Sequence, residues 1–246
     1  SCGDYHLLNI SHCIDAGDNS VVGLSRLDRD GNSRISSGTV DIGCYESAFA
    51  KDTVSPVTSI AWNPAANFAG WNNSDVLVTL SAMDPAPGTG IAAIYYTIDG
   101  GAQQSYTGPF SVSGEAVHTI QIWSVDGWGN VESSHNTLIR IDMTPPTITG
   151  MTDRQPNASG WYNADVTVTF TAEDLFSGLD TVTPPVLLST EGADQSVSGT
   201  ATDLAGNRIN TMVSGINIDK TAPTTTLNST ITGSNTAQIT LTPSDA

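Results

Sequence analysis

Residues 160–174 read GWYNADVTVTFTAED, and residues 70–84 read GWNNSDVLVTLSAMD. Gly70, Trp71, Asn73, Asp75, Val76 and Val78 recur as Gly160, Trp161, Asn163, Asp165, Val166 and Val168. Val166, Val168 and Phe170 alternate with Thr167, Thr169 and Thr171. That period of two sets one face of a strand on a core and the other in water. Chance rarely aligns so many positions, so the two stretches read as copies of one β unit.

The correspondence extends outward. Asp84 and Gly90 answer to Asp174 and Gly178; Asp126, Gly129 and Asn130 to Asp203, Gly206 and Asn207; Ile139 and Ile141 to Ile216 and Ile218. Ile94, Tyr96 and Ile98 alternate with Tyr95 and Thr97, and Asp99-Gly100-Gly101 follows. Glycine accepts positive φ without steric cost, so this reads as the tight turn of a hairpin. Asp-x-x-x-Pro occurs at Asp52–Pro56, Asp142–Pro146 and Asp219–Pro223. Proline fixes its own φ and extends the residue before it, so each is a stiff junction. The divisions expected are 1–51, 52–142, 143–219 and 220–246. The last is the start of a third copy, with Ile239 and Leu241 in the places of Val166 and Val168. Turn residues recur throughout and no helical period intervenes, so the fold class is all-β, with units 52–142 and 143–219 as antiparallel two-sheet sandwiches. Residues 1–51 are too few to bury a comfortable core alone.

Composition narrows the function. Eight Lys and Arg stand against 25 Asp and Glu, a net charge of -17, which excludes nucleic-acid backbone binding because phosphates call for clustered cations. No apolar run approaches the ~18 residues of a membrane span. The first residues lack a basic region followed by an apolar one, so any export signal is expected to be missing from this stretch.

Two resemblances cover nearly the whole chain. Residues 4–46 carry IDAGD, LDRDGNSR and DIGCYE in that order. They resemble the last coils of right-handed parallel β-helix proteins of the bacterial and archaeal choice-of-anchor type, departing at His12, where that family has Pro, and at Cys44, where it has Ala. Residues 91–132 carry Tyr96-x-x-Asp99-Gly100-Gly101, Tyr106-x-Gly108-Pro109-Phe110 and Asp126-x-x-Gly129-Asn130-x-Glu132. This string, like residues 157–223, resembles the Ig-like repeats of bacterial cell-surface and secreted proteins. The resemblances imply β-helix terminal coils followed by tandem Ig-like sandwiches. They also imply an extracellular or cell-surface setting and a non-catalytic spacer or stalk that presents an adhesive or enzymatic region. The alternative is a carbohydrate-binding or adhesive module accompanying a polysaccharide-active β-helix enzyme. Cell-surface glycans or proteins are the partners these readings suggest, the latter through an exposed edge strand.

Candidate chemistry is sparse. Asp28, Asp30 and Asn32 suggest an oxygen-rich calcium loop, and calcium is the only cofactor suggested. The EF-hand register fails: with Gly31 at position 6, positions 1 and 12 are Arg26 and Ser37. A turn at Asp30-Gly31-Asn32 is the structural alternative. Asp126-x-x-Gly129-Asn130 and its copy at Asp203 read first as carboxylates capping backbone N–H groups, and otherwise as calcium ligands shared with Asp142 or Asp219 at a neighbouring junction. Trp128, facing Ala205 in the other copy, is the candidate carbohydrate contact. Cys2, Cys13 and Cys44 show no zinc or redox spacing; a disulfide such as Cys13 to Cys44 would add about 3–4 kcal/mol. No His-Glu-x-x-His, Gly-x-Ser-x-Gly or phosphate loop is present, so no catalytic residue is assigned.

Overall fold

A computed structural model describes residues 6–8, 11–21, 27–35, 38–43, 45, 47, 50–233 and 236–244. The chain divides into two units, Ser1–Asp142 and Met143–Ala246. The described residues form strands and one 3-10 turn, Asn19–Val21.

In the first unit seven strands make two antiparallel sheets. β1 (Val57–Asn63), β2 (Val76–Met83) and β5 (Phe110–Val112) pair in the order β1-β2-β5. β3 (Ile91–Ile98), β4 (Gln104–Ser105), β6 (Ala116–Asp126) and β7 (His135–Ile141) pair in the order β4-β3-β6-β7. Val76, Val78 and Leu80 face Ile120, Ile122, Ile139 and Ile141 across one buried core, with Tyr96 stacked on Phe110. Period-two patterning places this core: each inward residue is flanked by outward ones. Asp99 and Gly100 both have positive φ, and Gly101 N donates to Ile98 O at 2.8 Å, closing the hairpin as its residues require.

The second unit repeats the plan. β8 (Thr147–Thr152), β10 (Val166–Glu173) and β12 (Val186–Leu188) pair in the order β12-β10-β8. β9 (Trp161–Tyr162), β11 (Leu179–Val182), β13 (Gly192–Asp203) and β14 (Arg208–Ile218) pair in the order β11-β13-β14-β9. Its core gathers Tyr162, Val166, Val168, Phe170, Val197, Ile216 and Ile218. Asn67 and Asn157, equivalent positions before the first Gly-Trp of each copy, build the same turn: each side-chain oxygen accepts the amide of Trp71 or Trp161, at 3.0 and 2.9 Å.

β15 (Thr224–Gly233) and β16 (Thr236–Ser244) form a separate two-stranded sheet. Aligned on the Asp-x-x-x-Pro junctions, Ser229 matches Thr152, and their partners are Ile239 and Val168. Ile239 and Leu241 therefore stand in the places of Val168 and Phe170, two residues beyond the sequence alignment and on the same face. Both are exposed here, at 64% and 63%.

Residues 6–50 contain no regular strand among those described. Ile14 and Val40 are buried, and Asp41 accepts the Asp15 amide at 2.7 Å and the Ser47 amide at 2.6 Å. Arg34 donates to the Gly43 carbonyl at 3.1 Å.

Candidate metal centre

Asp126 ends β6 where the chain turns away from the core. Its Oδ1 accepts the amides of Trp128 and Asn130 at 2.9 and 2.8 Å, and its Oδ2 accepts the Asn130 side-chain amide at 2.7 Å. Gly129, at φ +88°, supplies the left-handed step. Asp203 treats Asn207 the same way, at 2.8 and 2.9 Å, with Gly206 at φ +95°. Burial drives this arrangement: both carboxylates are nearly solvent-free, and a buried charged oxygen must find donors.

The turn recurs a third time. Asp28 Oδ1 accepts the amides of Asp30 and Asn32 at 2.9 and 2.7 Å, Oδ2 accepts the Asn32 side chain at 3.3 Å, and Gly31 has φ +88°. Asp28 and Asn32 thus come together through an Asp-x-x-Gly-Asn turn, whereas Asp30 Oδ2 lies 2.6 Å from His6 Nε2. The same Asp-x-x-Gly-Asn letters stand at all three places, the third outside the two duplicated units.

In the first unit the Asp126 carboxylate meets two others. Asp52, Asp84 and Asp126 each offer an oxygen, all within 4.8 Å of one another. Asp52 and Asp126 are both 1% exposed. Asp52 Oδ1 accepts the Val54 amide, and Oδ2 accepts the Thr89 amide and hydroxyl at 3.2 and 3.1 Å. Asn130 Nδ2 donates to the Asp52 carbonyl, binding the junction to the turn. Asp84, directly after β2, accepts the Gly90 amide through Oδ2 at 2.8 Å; its Oδ1 is buried without a hydrogen-bond partner. The sequence offers Asp126 and Asp203 a junction carboxylate at Asp142 or Asp219; the partner Asp126 finds is Asp52, at the junction that opens its own unit.

Three carboxylates at this separation repel one another where water cannot screen them, and one buried oxygen has no donor. A hard divalent cation answers both problems. The donor set is all oxygen with no imidazole or thiolate, which suits calcium or magnesium rather than zinc. The second copy keeps the pattern: Asp174 Oδ1 accepts the Gly178 amide at 2.7 Å, as Asp84 does that of Gly90.

Trp128 is half-buried. Its ring lies 5.0 Å from that of His12, and the Lys51 ammonium sits 5.6 Å from its centroid. Cys13 is also half-buried, and its carbonyl accepts the Ile42 amide at 2.8 Å. Cys2 and Cys44 lie outside the described residues, and so does the expected Cys13–Cys44 pairing.

No protein-family model matches the chain, and no curated protein matches it. Among solved structures, a chain from the Clostridium thermocellum CbhA fibronectin(III)-like modules is similar to 66% of this chain and 94% of its own length, with 14% identity and a TM-score of 0.37. At that score the likeness adds nothing to what the strand pairing shows. No helix among the described residues is long and apolar enough to cross a membrane.

Proposed function

We propose that this chain is a non-catalytic spacer segment of an extracellular or cell-surface protein. In this reading residues 1–51 are the terminal coils of a β-helix, and Ig-like sandwiches carry the stalk onward, with the β15–β16 hairpin opening a further repeat. A calcium-class cation held by Asp52, Asp84 and Asp126 fastens the incoming junction to the rim of its sandwich. The observation that carries the reading is the convergence of these three carboxylates with the unpartnered Asp84 oxygen. Asp52 belongs to the proline junction, so a cation there removes freedom from the point at which a stalk would otherwise hinge. Repeated small cores along one chain extend reach without a larger core, and a surface of one sign limits self-association.

Small-angle scattering with millimolar calcium and then with a chelator tests this reading. The expected result is a stiffer, more extended particle with calcium and a broader distribution of dimensions after chelation. Superimposable profiles, together with an unchanged melting temperature, would overturn the cation-stiffened spacer.

A further inference from the structure

Tyr95 and Trp123 are register partners on β3 and β6, with ring centroids 5.7 Å apart and planes 29° from parallel. Their chain neighbours Tyr96, Ile122 and Ser124 are buried. Both rings therefore stand on the face of the four-stranded sheet turned away from the core. The next rungs on that face pair Gln121 with Asn136 and Tyr95 with Ser105, all uncharged.

Beside Trp123 lies an open cleft of about 260 Å³ lined by Gln121, Trp123, Val131, Glu132 and Ser134. Gln121 Nε2 donates to Ser134 Oγ at 3.1 Å, aligning an amide and a hydroxyl along one wall. Glu132 is committed to the interior: Oε1 accepts the Thr58 amide, and Oε2 accepts the Thr58 hydroxyl and both the amide and hydroxyl of Ser124. What the cleft presents outward is an indole, an amide, a hydroxyl and the Val131 side chain, which is 57% exposed.

A cross-strand aromatic pair stabilises a sheet by itself. That accounts for Tyr95 against Trp123, but not for a cleft beside Trp123 whose outward side chains, Gln121, Val131 and Ser134, are uncharged on a chain of net charge -17. We propose that Trp123 is the stacking platform of a binding site for a neutral sugar ring. The apolar C–H face of a pyranose lies on an indole, and its hydroxyls need donors and acceptors at the edge, which Gln121 and Ser134 supply. Tyr95 packs against the indole as its cross-strand partner. The volume is just under the ~300 Å³ at which sites for drug-sized ligands begin, so it takes one ring of a chain. The acidic surface repels uronic acids and sulfated sugars, which leaves neutral glycans as the ligand class. This site is separate from Trp128, whose ring is engaged by His12 and Lys51. It does not rest on the cation-stiffened reading.

The test is calorimetry and NMR titration of the whole chain with cellohexaose, xylohexaose, mannohexaose and, as a charged control, hexagalacturonate. We expect at least one neutral hexaose to bind and shift the Trp123 indole N–H, and hexagalacturonate to shift nothing. Trp123→Ala and Gln121→Ala should each weaken binding about tenfold, the loss of one stacking or hydrogen-bonding contact, while Trp128→Ala binds as the parent chain does. Gln121→Ala lies outside the core, so it decides the matter if Trp123→Ala fails to fold. Silence from all three neutral sugars, or binding indifferent to Trp123 and Gln121, would overturn the site.

Discussion

His118 Nδ1 lies 2.8 Å from the Asp99 carboxylate, across the turn that closes β3, while His118 Nε2 lies 3.1 Å from the Gly114 carbonyl. Both partners are acceptors, so the ring satisfies them only when both nitrogens carry protons. Burial opposes that charge, but the hydrogen bonds to Asp99 and Gly114 and the Asp99 charge outweigh it and raise the His118 pKa. The bond from His118, then the Thr119 amide, lowers that of Asp99. A raised histidine pKa contributes stability that is complete below the unfolded value of about 6.5 and fades as pH rises through the folded value. A lowered aspartate pKa contributes above about 3.9 and fades as pH falls through its folded value. His118→Gln should therefore cost more melting temperature near pH 5 than near pH 8. An equal loss at both would show that protonation is irrelevant here.

Asp84 and Asp126 should respond to substitution with opposite signs. Without added cation, Asp84→Asn removes repulsion and gives a carboxamide to an unpartnered site, so thermal stability should rise or hold. Asp126→Ala strips the donors Trp128 and Asn130 of their acceptor and should destabilise by roughly 1–3 kcal/mol. With millimolar calcium the parent chain should gain stability by linkage and Asp84→Asn should gain none. Melting curves of the three proteins with calcium and with chelator check both statements.

Phe170 explains two glycines within strands. A Cβ on Gly150 would lie 2.7 Å from its ring and 2.5 Å from Val213, and one on Gly199, in the facing sheet, would collide with the same ring. Gly199→Ala should therefore cost about 1–3 kcal/mol as overpacking. Pairing it with Phe170→Leu should recover part of that loss, and urea unfolding of the two variants measures the difference. Strictly additive losses would mean that the ring and the glycine do not share a space.

Cys13 stands as a free thiol among the described residues, and its carbonyl accepts the Ile42 amide. Peptide mapping without reductant tests the expected Cys13–Cys44 disulfide; if it forms, reduction should lower stability by about 3–4 kcal/mol, the loop-closure contribution. A free Cys13 in oxidised material would discard the pairing.

Much of the sandwich was legible because burial leaves a period. Val76, Val78, Val166 and Val168 alternate with outward residues, and all four are buried as that alternation requires. Gly90 and Gly178 were matched by letters alone, and both amides prove to be held by the matched aspartates. The carboxylate trio was not legible. Asp52, Asp84 and Asp126 sit on a junction, a strand end and a turn, and no local period links them. Trp123 was equally hidden: in sequence it is one outward residue of an alternating strand, and its partner Tyr95 is named only by register.

The duplicated β units and the inward residues of their duplicated strands can be read from the order of amino acids alone. Those properties follow from side-chain alternation and backbone restriction, which act over a few neighbouring residues. Tertiary structure decided which distant carboxylates share a buried space, which two glycines admit Phe170, and which aromatic ring lines a cleft. Each depends on the register and facing of strands far apart in the chain, and those are settled by closing two sheets over one core.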